Sequence, residues 1–120
     1  MYLFCERGDT VSWTFQIYDG DLPRDLSGDL VQFSVKNSLD DADVSALLHF
    51  KSTTTGITIL PQTGATLGQF LLTILPADTT SFKAGLEAYW DIQLTLSDGS
   101  VVTPFQGTII FTGDVTKSTS

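Results

Sequence analysis

Between Thr10 and Tyr18 the odd positions are apolar, Val11, Trp13, Phe15 and Ile17, and the even ones are Ser12, Thr14 and Gln16. A period of two puts successive side chains on opposite faces of an extended chain. This pattern therefore predicts a half-buried β-strand built from strong strand formers. The same period returns at Val31, Phe33 and Val35, and at Trp90, Ile92, Leu94 and Leu96. Phe70, Leu72 and Ile74 alternate with Leu71, Thr73 and Leu75, which predicts a strand covered on both faces.

Turn chemistry separates these runs. DGDLPRDLSGD and PQTGATLG read as loops, TTTG as a turn before the short strand ITIL, and Asp98-Gly99 as a hairpin signal. The strand returning from Ser100 to Thr112 contains Pro104 and Gly107, which predicts an edge position or a bulge. Asp40, Asp41 and Asp43 are placed to cap a helical turn before VSALL, although Ala46 to Lys51 reads better as a strand. The expectation is an all-β, antiparallel immunoglobulin-like sandwich of seven to eight strands. It has one short helical turn near residues 78–84. A single domain spans residues 1–116, and residues 117–120 form a polar tail.

The stretch PADTTSFKAGLEAYWDIQLTLSDG is the corner of that sandwich. Pro76 ends the preceding strand, and Asp78 is expected to begin the turn and accept N–H bonds from Thr80 or Ser81. Phe82 points into the core, and Gly85 supplies the positive φ that leaves the turn. Tyr89 is a candidate for the tyrosine that pins such corners, though either Tyr89 or Trp90 can face inward. Asp91 falls on the polar face of its strand.

The chain of 120 residues is long enough to bury roughly two-thirds of its unfolded surface without staples. Net charge is −8, and the six basic residues are scattered. No basic stripe exists to neutralise phosphates or anionic lipid, so neither nucleic acid nor a membrane is an expected partner. The opening MYLFCERGD lacks a basic segment and is not expected to be a signal peptide. Cys5 is the only cysteine and His49 the only histidine. Cys5 reads as a buried inert thiol and His49 as a strand or loop residue, with no zinc spacing, nucleophile elbow or phosphate loop. No catalytic residue and no cofactor is expected. The weak metal candidates are Asp19, Asp21, Asp25 and Asp29, for calcium, in a spacing that matches no EF-hand. Tyr2, Trp13, Tyr18, Tyr89 and Trp90 are the rings available to an aromatic sugar platform.

From Gly8 to Thr116 several segments combine: GDT before a strand with WTF, DLSG before VQFSV, GITI, GQFLLTILPADTT, AGLEAYWDIQL, SDG and GTIIF. In this combination the chain resembles the small immunoglobulin-like domains of tailed-phage virions. These include the N-terminal domains of baseplate upper proteins and of related tail and fibre-adaptor proteins. The resemblance implies a non-enzymatic structural protein of the virion, made in the host cytoplasm and acting in a tail, baseplate or fibre attachment. It implies other virion proteins as partners and a homo-oligomer or symmetric assembly. A capsid decoration protein and a module binding a host carbohydrate or surface protein are the alternatives. The expected contact residues are Tyr2, Leu3 and Phe4 on the N-terminal strand, and Pro104, Phe105 and Gly107 on the last one.

Overall fold

The computed structural model describes residues 2–37 and 46–113. Eight longer strands are β1 (Tyr2–Glu6), β2 (Val11–Gln16), β5 (Leu30–Lys36), β6 (Leu48–Lys51), β7 (Ile57–Ile59), β8 (Gln69–Ile74), β9 (Leu86–Thr95) and β10 (Val101–Thr112). A two-residue pair, β3 (Tyr18–Asp19) and β4 (Leu22–Pro23), folds the loop after β2 into a small hairpin. The Asp40, Asp41 and Asp43 cap and the tail at 117–120 lie outside the described residues.

One sheet has the order β1-β10-β9-β5-β6 and the other β2-β8-β7. In immunoglobulin lettering these are the G-F-C-C′ and B-E-D sheets, with β1 lying beside G. The alternation read from the sequence decides which faces meet. Phe15 and Phe70 from one sheet stack at 5.3 Å between centroids, and Phe15 and Phe33 reach Trp90 at 6.0 and 6.2 Å. This aromatic knot bridges the sheets where antibody domains place a disulfide, which a chain with one cysteine cannot form. Cys5 is buried with them, and burial followed by the charge of Asp9 pushes its thiol up to about 11.

Three local expectations change. β1 and β10 run parallel, Tyr2 opposite Thr108 through Glu6 opposite Thr112, whereas a wholly antiparallel sandwich was expected. Parallel neighbours need a long connection, and here nearly the whole domain lies between them. β8 is fully covered on one face only. Gln69, Leu71 and Thr73 are half-buried, because among the described residues no third layer packs on the outer side of its sheet.

The helical turn is α1 (Pro76–Thr79), earlier than expected. Pro76 opens it as well as ending the strand, since a first helical residue needs no N–H donor. Asp78 consequently sits in the third helical position. Its carboxylate reaches back to accept the N–H of Leu75 at 2.8 Å instead of reaching forward to Thr80 or Ser81. Phe82 packs edge-on against Phe111 at 4.9 Å, and Gly85 takes φ +83° as expected.

Candidate functional site

Trp90 faces the core and donates its ring N–H to the Thr108 carbonyl at 3.2 Å, while Tyr89 is exposed on the opposite face. Tyr89 therefore does not pin the corner from within. Thr79 does so: fully buried, it accepts the Gly8 N–H through its hydroxyl, and Arg7 donates to the Thr80 carbonyl at 3.0 Å. His49 lies on β6, with Nδ1 hydrogen-bonded to the Ser34 hydroxyl at 2.9 Å.

The four loop aspartates do not gather around a vacant point. Arg24 donates through Nε to one Asp29 oxygen at 2.8 Å and through its terminal nitrogen to the other at 3.3 Å, and it reaches Asp19 at 3.5 Å. The Asp29 side chain is only 2% exposed. Asp25 accepts the Ser27 N–H at 2.9 Å, and bonds from the Ser27 hydroxyl and N–H hold its carboxyl below the usual range. Among the described residues no group of three or more His, Cys, Asp or Glu is disposed to hold a metal ion. The cation in this loop is the guanidinium, and it ties Asp19 of the β3–β4 hairpin to Asp29 at the start of β5, while Asp25 caps its own turn.

The expected contact residues separate into two kinds. Alternation on β1 turns Leu3 and Cys5 inward, with Leu3 at 7% exposure, and turns Tyr2 and Phe4 outward at 65% and 64%. Leu3 thus belongs to the core and not to a contact surface. Phe105 also packs inward, 5.2 Å from Phe15. Pro104 is exposed at a bulge between Val102 and Phe105. Here β10 is an edge strand, because β1 covers only Thr108 to Thr112; beyond that point it is interior.

A feature absent from the sequence reading lies on the outer face of the five-stranded sheet. Lys36, Tyr89, Thr108 and Tyr2 are in register across four neighbouring strands, and Ser34, Asp91 and Gln106 form the adjacent row. Between these rows is a concavity of about 350 Å³ lined by Ser34, Lys36, Tyr89, Asp91, Gln106 and Thr108. It joins one cation, one carboxylate, an amide, the hydroxyls of Ser34 and Thr108, and the phenol ring of Tyr89. Parity along β9 places Tyr89 and Asp91 together, but the rows exist only once β5, β9 and β10 are aligned. No protein-family model matches the chain, and no curated protein matches it.

Proposed function

We propose that the chain is a non-enzymatic structural module of a phage virion, joined to neighbouring subunits of a tail or baseplate through its sheet edge. The observation that supports this reading is β1. Among the described residues it is the outermost strand of the five-stranded sheet and is paired on one side only. It also carries two large rings, Tyr2 and Phe4, out into water. An exposed edge strand without proline, lysine or bulge is a template for another strand, and natural monomers usually blunt such edges. Strand addition supplies main-chain hydrogen bonds, and alternate side chains supply selectivity. The resemblance to small immunoglobulin-like virion domains points the same way.

Removing β1 is a poor test, since Cys5 and Leu3 would leave the core with it. Phe4→Asp changes only an exposed side chain. The variant should keep the thermal transition of the parent protein yet be lost from purified particles. Retention at the parental level in particles carrying Phe4→Asp would overturn the reading. Fractionating heads from tails then separates a tail component from a capsid decoration protein.

A further inference from the structure

We propose that the concavity on the outer face of the five-stranded sheet binds a neutral oligosaccharide, with Tyr89 as its stacking platform. The lining argues for this class of ligand on four grounds.

First, its charge is balanced. Lys36 and Asp91 are of opposite sign in a chain whose net charge is −8, so the site selects neither a phosphate nor a cation. Both still have hydrogen-bonding capacity to offer, since an ammonium has three donors and a carboxylate about four acceptor positions. Second, the groups alternate in role. Lys36 donates, Asp91 accepts, and Gln106 and Thr108 do both, which matches hydroxyls that must donate and accept at once. Third, Tyr89 is 43% exposed beside these polar groups, offering an apolar ring face next to a polar rim. A sugar ring presents C–H bonds on its face and hydroxyls at its edge, and this pairing of surfaces is its complement.

Fourth, Tyr2 lies in the same cross-strand row as Tyr89, with Thr108 between them. At the usual strand spacing the two tyrosines are about 10 Å apart on one face. That separation suits successive units of a chain laid across the strands, not a single ring. The concavity is near the small end of ligand sites and lies on an open face, as expected for gripping part of a polymer. A strand added at the β1 edge would extend the sheet sideways and leave this face uncovered. Only Tyr2 is shared with the assembly reading, so variants of Tyr89 and Asp91 test this inference apart from it.

The test is a titration of the isotope-labelled full chain with neutral oligosaccharides of increasing length, built from glucose, galactose, N-acetylglucosamine or rhamnose, followed by backbone amide shifts. At least one series should give saturable shifts at Ser34, Tyr89, Asp91 and Gln106. Tyr89→Ala should weaken that binding about five- to tenfold. Asp91→Asn should also weaken it. Tyr2→Ala should weaken long oligomers and spare the shortest, while Phe4→Asp, one row away, should leave binding unchanged. Absence of shifts for every series up to the solubility limit would overturn the proposal. So would shifts that map elsewhere, shifts indifferent to Tyr89→Ala, or binding of acidic peptides with none of the sugars.

Discussion

Gly8 donates its backbone N–H to the hydroxyl of Thr79 at 2.8 Å, and Thr79 is completely buried. The bond joins the turn after β1 to the last residue of α1, 71 positions away. It therefore ties the strand that carries Tyr2 and Phe4 to the corner between the two sheets. Thr79→Val keeps the shape and removes the acceptor. Leaving a part-buried N–H without a partner costs about 1–3 kcal/mol. Chemical denaturation should show a loss of that size for Thr79→Val, and Thr79→Ser should restore most of it.

Gln62 is a second such tie. Its Oε1 accepts the N–H of Leu26 at 2.8 Å and that of Gly68 at 3.0 Å, and its Nε2 donates to the carbonyls of Leu60 and Gln69. One amide thus satisfies four backbone groups from three segments of loop and strand. Gln62→Leu should destabilise the protein by about 2 kcal/mol or more, because two donors lose their acceptor together. Hydrogen exchange should quicken at Leu26 and Gly68 before the sheet amides respond.

Asp29 and Arg24 form a two-pronged ion pair with the carboxylate inside and the guanidinium a quarter exposed. Asp29→Ala removes both short bonds and leaves the guanidinium only its 3.5 Å contact to Asp19. The expected cost is about 2–3 kcal/mol, at or below the low end for a wholly buried pair because water still reaches Arg24. Arg24→Met combined with Asp29→Leu should recover much of that loss, as apolar replacement of such a pair often does. Thermal melts of the two variants side by side check both statements.

Cys5 gives a pH dependence. Its folded-state value of about 11 lies above the ordinary 9.0, so the folded protein holds this proton more tightly than the unfolded chain does. The associated stability is fully present below pH 9.0. It falls as pH rises from there to about 11, and the total change is on the order of 3 kcal/mol. Denaturation midpoints measured across that window should decline, and Cys5→Ala should remove this part of the slope. In the native protein the thiol should also react with disulfide reagents only as fast as the fold opens.

These ties show where reading a sequence succeeds and where it stops. The strands β2, β5 and β9 were legible because their periodicity is local and needs no partner. Trp90 was legible too, in hindsight, because it shares parity with Ile92 and Leu94 whereas Tyr89 does not. The roles of Thr79 and Gln62 were not, because each depends on backbone groups brought close by the finished fold. The parallel seating of β1 against β10 was hidden for the same reason. The aspartates of the first loop stayed weak metal candidates because spacing lists charges without saying where Arg24 points. The concavity was half legible: Tyr89 and Asp91 share a face by parity, but Ser34, Lys36, Gln106 and Thr108 join them only through strand register.

The parallel pair β1–β10 has a mechanical consequence. Tyr2 stands at one end of the pair and Thr112 at the other, on different strands. Tension applied between those two points slides the strands lengthwise past each other. All the bonds between them carry the load at once and do not open one after another, as they would in a hairpin pulled from its open end. A domain pulled by its neighbours through these two strands would meet the load in shear.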